Sequence, residues 1–186
     1  FLLISFTGRM TNFVFDGVTT ATPLAILETR SHYDLFRLFI GTTAGTIGET
    51  STLMILIGGA YMLVNRVIKP TIPVAYLLSF SLFTLIFSPF HFDFYYLACQ
   101  LCGGGLMLGC FFMATDYVTS PITPRGQIIF GICCGIFTGL FRCFGANAEG
   151  VSFAIILSNL LVPMIEKYTV PNAFGVVKTK PEKEAK

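Results

Sequence analysis

Long apolar stretches at residues 35–64, 72–90, 94–114, 127–144 and 151–164, separated by short polar connections, constrain this chain more than any motif in it. A helix needs about 20 apolar residues to cross the hydrocarbon of a bilayer. At that depth every backbone amide must find its partner inside the protein, which leaves helices as the natural way for such segments to cross. The chain therefore reads as an all-α, polytopic transmembrane helical bundle. Composition agrees: 54% of residues are apolar and 12% charged, and the mean hydropathy of +0.75 is far above that of a soluble domain. The stretch at 35–64 is too long for one straight span and is interrupted by "GTTAGTIGET", which predicts a broken or re-entrant segment followed by a full helix. The stretch at 151–164 is short, so its ends are open.

Charge divides the connections. A net charge of +2 gives no nucleic-acid footprint. With the broken segment counted as one net crossing, the loops alternate sides. Arg66, Lys69, Arg125, Lys167 and the lysines of the terminal "KTKPEKEAK" then share one side; Arg9, Arg30, Arg37 and Arg142 share the other with Asp16, Glu28, Asp34, Asp93 and Glu149. Basic residues mark the cytoplasmic face. Residues 9–34 are thus expected outside, 35–165 as the bundle, and 166–186 as a solvated cytoplasmic tail. The opening "FLLISF" has no initiating Met, charged leader or cleavage site; residues 1–8 read as the end of a truncated membrane segment rather than a signal peptide.

Most chemistry-bearing residues have an ordinary reading beside a functional one. Glu49 follows a glycine-rich break and precedes a helix, where a carboxylate is favoured by the helix dipole. It also suits a cation or proton path, since intramembrane carboxylates are costly. Asp116 can cap a turn with Thr115 and Thr119, order a subunit interface, or belong to an ion path. Arg142 is expected to snorkel to the headgroups or pair with Glu149. "CQLC" at Cys99 to Cys102 has metal-like spacing but no second pair. "CGGGLMLG", Cys102 to Gly109, reads as close helix packing, and His32 and His91 are isolated.

The stretch "DGVTTATPL", Asp16 to Leu24, is the polar exception. Pro23 biases Thr22 toward an extended backbone, and Gly17 and Ala21 leave little bulk around it. Thr19, Thr20 and Thr22 could be ordinary loop hydroxyls bonded to nearby backbone. The pattern Asp-x-x-Thr-x-Ala-Thr, formed by Asp16, Thr19, Ala21 and Thr22, resembles the attachment motif recognised by the FMN transferase of bacterial redox-driven ion pumps. Downstream, "GTIGETSTLMILIGGAYML" from Gly45, "FFMATDYVTSPITPRGQIIFG" from Phe111 and "EGVSFAIILSNLLVP" from Glu149 look like the RnfD membrane component of the Rnf ferredoxin:NAD oxidoreductase complex. The B subunit of the sodium-pumping NADH:quinone oxidoreductase is a more distant match.

The resemblance implies FMN joined through its phosphate to Thr22, with Asp16, Gly17, Thr19 and Ala21 as its motif context. Thr20 departs from the family pattern, where glycine is common. The resemblance further implies electron relay coupled to sodium or proton export, partner subunits that carry iron–sulfur centres and a second flavin, and a urea-transporter-like fold. Its setting would be the cytoplasmic (inner) membrane of a bacterium or archaeon. By analogy with the quinone reductase it also implies a noncovalent flavin such as riboflavin. A channel or transporter subunit, or a scaffold without cofactor, is the competing expectation.

Overall fold

The computed structural model describes residues 13–15, 18–20, 35–42, 51–87, 93–103, 105–144 and 150–171. Two short strands come first. β1 (Phe13–Phe15) and β2 (Val18–Thr20) pair antiparallel, with Phe13 opposite Thr20, Val14 opposite Thr19 and Phe15 opposite Val18. This small hairpin is an addition to the expected helical architecture. Its cause is local: β-branched and aromatic residues flank a two-residue Asp-Gly connection, the strongest short hairpin signal.

The bundle itself is helical, as expected. Its helices are α1 (Leu35–Ile40), α2 (Thr52–Val64), α3 (Thr71–Phe87), α4 (Phe94–Cys102), α5 (Leu106–Met113), α6 (Pro124–Phe144) and α7 (Val151–Thr169). Their starts follow local chemistry. Ser51 caps α2 by accepting from Met54 N, and Asp93 caps α4 by accepting from Tyr95 N and Tyr96 N. Thr123 Oγ1 accepts from Gly126 N at 3.1 Å, with Pro124 at the first helical position of α6.

Among the described residues α6 and α7 are long and apolar enough to cross a membrane, and the α4–α5 pair is a third span if counted as one. The first apolar stretch contains α1 and α2; residues 43–50 between them, where the break is expected, lie outside the described residues. The stretch at 94–114 departs from expectation: α4 and α5 are bent by 65° across the glycine run. Gly105 has φ of 65°, a left-handed conformation that favours glycine, so this run ends one helix and redirects the next. The expected close packing is seen at its last member, where a Cβ at Gly109 would press into Val151. From Gly109 to Met113 α5 winds as a π-helix, with Ala114 N donating to Gly109 O at 2.8 Å.

The main contact is between α3 and α6. Gly131 lies against Ile72 and Ala75, Gly135 against Tyr76 and Ser79, and Gly139 against Phe83, so the two helices run parallel. Small residues every fourth position let the backbones approach where apolar lipid offers no hydrophobic drive for association. The core around this seam holds Ile72, Tyr76, Phe80, Leu106, Cys110, Phe130, Cys134 and Ile155. A Cβ at Gly135 would come 2.7 Å from Tyr76 O and 2.8 Å from Phe80 N, both backbone atoms. Gly135→Ala is therefore expected to destabilise the purified protein by about 1–3 kcal/mol. Thermal unfolding in detergent checks this, and Ser79→Gly should restore only part of the loss, since the backbone overlap remains.

Pairings locate the ends of the bundle. Tyr117 Oη donates to Val67 O, Ile122 N donates to Glu166 Oε1 at 3.1 Å, and the Thr123 and Thr169 hydroxyls meet at 2.7 Å. These contacts bring the α2–α3 connection, the start of α6 and the end of α7 to one end, with Arg66, Lys69, Arg125 and Lys167. At the opposite end the rings of Phe87 and Phe144 meet edge to face at 6.4 Å.

Candidate functional site

The hairpin carries one residue of the motif, Thr19, in β2, with Thr20 next to it at the strand's end. Asp16, Gly17, Ala21 and Thr22 lie outside the described residues, as do Glu49, Glu149, His32 and His91. Thr22 follows the end of β2 by two residues, so the motif straddles a hairpin strand and the segment that follows it in the chain.

A second constellation, not anticipated as such, sits at the bend. Arg142 is buried on α6, two residues before the helix ends. Its Nη1 donates to Gln100 O at 2.6 Å and to Gln100 Oε1 at 3.1 Å, and its Nη2 donates to Gly103 O at 3.0 Å. The guanidinium carbon stands 5.3 Å from the centroid of the Phe80 ring. Gln100 Nε2 in turn donates to Tyr96 Oη at 2.9 Å, and Thr52 Oγ1, on α2, donates to Cys102 O at 2.8 Å.

Breaking a helix frees the carbonyls of its last turn. Here an arginine on α6 and a threonine on α2 satisfy them, and a cation is favoured at that negative helix end. Irregular backbone at membrane depth is tolerated where protein groups complete its hydrogen bonds in this way. Arg142 thus does not snorkel to the headgroups. It turns inward because the bend supplies acceptors, while Glu149, its other expected partner, lies outside the described residues.

One turn earlier on α6, Thr138 Oγ1 donates to Cys134 O at 2.8 Å and lies 2.6 Å from Tyr76 Oη. A hydroxyl has one proton to give, so Tyr76 is the donor of that second bond. Cys134, Thr138 and Arg142 form a stripe of four-residue spacing inside an apolar helix, beside the glycine stripe Gly131, Gly135 and Gly139. Both periodicities are visible in the sequence as signals of an inward face.

Asp116 lies apart from this constellation. It is exposed, its Oδ2 accepts from Thr119 Oγ1 at 3.2 Å, and its carbonyl accepts from Ser120 N at 3.2 Å. Thr115 donates instead to Phe111 O at 2.6 Å. Cys99 and Cys102 sit on successive turns of α4, and among the described residues no group of three His, Cys, Asp or Glu side chains is arranged to hold a metal.

Comparison with known proteins gives this architecture its relatives. Residues 1–175 match the model of the NQR2, RnfD, RnfE family. The chain belongs to this family. Family members similar to it include the D subunit of the Na(+)-translocating ferredoxin:NAD(+) oxidoreductase complex of Acetobacterium woodii, 43% identical over all of this chain and 59% of that protein. The D subunit of the proton-translocating ferredoxin:NAD(+) oxidoreductase complex of Clostridium ljungdahlii is 39% identical over 86% of this chain and 52% of its own length. The D subunit of the ion-translocating oxidoreductase complex of Haemophilus influenzae is 42% identical over 86% and 48%, respectively. The chain spans about half the length of these family members.

Proposed function

We propose that this chain belongs to a membrane flavoprotein subunit of an Rnf-type complex, relaying electrons through FMN on Thr22 and coupling ferredoxin/NAD chemistry to sodium or proton translocation. The observation that carries the reading is the motif of Asp16, Thr19, Ala21 and Thr22 within a chain of the NQR2, RnfD, RnfE family. The residues present fit the group chemically. A threonine hydroxyl can hold a phosphate as an ester, and Thr22 is flanked by small Ala21 and by Pro23, beyond the strand that ends at Thr20. FMN exchanges one or two electrons and so joins nicotinamide to iron–sulfur chemistry. Thr22 acts as a tether, with Asp16, Gly17 and Thr19 presenting it to the FMN transferase. Residues 9–34 would form the extracytoplasmic loop, and a noncovalent riboflavin would add a second flavin to the subunit.

Partners under this reading are the other subunits of the complex, including those with iron–sulfur centres and a second flavin-carrying subunit, in a cytoplasmic membrane. Relatives of similar identity are named for sodium and for proton translocation, and the sodium dependence of ion uptake distinguishes the two for this chain. Denatured subunit, made together with its transferase, should carry flavin fluorescence that migrates with the polypeptide; a nonfluorescent band would count against the tether.

A channel or transporter subunit without cofactor is the second reading, favoured by the bent α4–α5 span, because discontinuous helices line many substrate paths. Glu49→Gln addresses the ion path common to both. It is expected to reduce ion uptake into sealed vesicles at least several-fold while leaving flavin content within error of wild type. Undiminished uptake would remove Glu49 from the path.

A further inference from the structure

Two of the concave surfaces among the described residues reach the basic end of the bundle. The first is an apolar groove of about 770 Å³ between α3 and α6, walled by Val74, Leu78 and Leu82 on one side and Ile128, Ile132 and Ile136 on the other. Because the two helices run parallel, the groove has a head, at Pro70, Thr71 and Ile128, and a foot, at Ile86 and Phe87. From Thr71 to Ile86 it follows roughly 22 Å of helix. That is longer than one leaflet is deep, about 15 Å of a hydrocarbon core of about 30 Å. The second surface is a more polar pocket of about 1040 Å³ between the start of α6 and the end of α7, lined by Thr123, Arg125, Lys167 and Thr169. Glu166 also lines it, with its carboxylate accepting from Ile122 N.

Two cations flank the residues that form the head of the groove, without lining it themselves. Exposed Lys69 immediately precedes Pro70, and exposed Arg125 lies one helical turn before Ile128 while also lining the polar pocket beside Lys167. The groove walls below carry no charged residue, and Leu78 and Leu82 are 67% and 63% exposed. A ligand matching this surface has a negative head and an apolar chain that descends along α3 and α6.

The geometry points to a binding site for an anionic phospholipid, its phosphate held by Lys69 and Arg125 and one acyl chain laid in the α3–α6 groove. Basic pockets between membrane helices select anionic headgroups, and each basic residue near the surface favours such a lipid by about fivefold. A neutral phospholipid gains the groove but not the charge. The site stands apart from the flavin tether and does not depend on it.

The test uses the complete complex in nanodiscs of equal phosphatidylglycerol and phosphatidylcholine, with p-benzoylphenylalanine in place of Leu78. Irradiation is expected to attach phosphatidylglycerol over phosphatidylcholine by at least several-fold. The double substitution Lys69→Gln and Arg125→Gln, both at exposed positions, should bring that ratio close to one. Equal labelling by the two lipids in the unsubstituted complex, or a preference unchanged in the double variant, would overturn the site. Attachment of residue 78 to a neighbouring protein in place of lipid would overturn it as well.

Discussion

Arg142→Met is expected to lower the stability of the purified subunit by roughly 2–4 kcal/mol, read as a fall in its unfolding temperature in detergent. Methionine keeps much of the side-chain volume but none of the donors. Gln100 O, Gln100 Oε1 and Gly103 O would lose the guanidinium that they now share. A buried acceptor left unsatisfied costs about 1–3 kcal/mol. In membranes the measured worth of a hydrogen bond averages nearer 0.6 kcal/mol, because the unfolded helices also find partners, and this pulls the sum down. Arg142→Lys is the informative control. It preserves the charge at the end of α4 but lacks the planar fork that serves two residues at once, so it should recover less than half of the loss. Full recovery by lysine would show that charge alone matters; no loss in the methionine variant would mean that the bend does not depend on this clamp.

Thr22→Ala carries the larger functional effect under the proposed linkage. An ester needs its oxygen, so covalent flavin should fall to background rather than decline by degrees, and electron transfer from ferredoxin to NAD should fall with it. Thr22→Ser restores a hydroxyl and should restore part of the label. Thr20→Gly moves the sequence toward the family pattern and should leave attachment intact. Because residues 35–171 contain the whole α3–α6 seam and the bend, removal of one loop hydroxyl should leave the unfolding temperature and assembly of the complex unchanged. That separation distinguishes a lost tether from a lost fold. Label that survives Thr22→Ala would move the ester to Thr19 or Thr20.

Much of the architecture is legible in the residues because the bilayer allows so few solutions. The apolar stretches locate α2, α3 and α6 to within a few residues, and the remaining two spans are telling exceptions. Helix α7 runs on to Thr169, past the apolar limit at 164, since Glu166 and Thr169 find partners on the segment before α6. The span at 94–114 bends because its glycine run breaks the helix, and whether such a run packs or breaks depends on what neighbouring helices offer the freed carbonyls. Arg142 and Thr52 are those offers, 39 and 50 residues away in the chain respectively. No local pattern reveals partners so distant. The hairpin is the opposite case: Asp16-Gly17 between β-branched and aromatic residues is a local signal, and reading the stretch for its threonines alone passes over it. The flavin motif rests on resemblance, and its decisive residue follows the described strand.

The FMN ester at Thr22 is tested most directly by the mass of one peptide. Trypsin acting after Arg9 and Arg30 releases residues 10–30, which contain Thr19, Thr20 and Thr22 together. From subunit made with its transferase, this peptide should be heavier by FMN less one water, and fragmentation should locate the added mass on Thr22. An unmodified peptide from protein that is otherwise assembled and active in ferredoxin:NAD electron transfer would contradict a flavin tether on this segment.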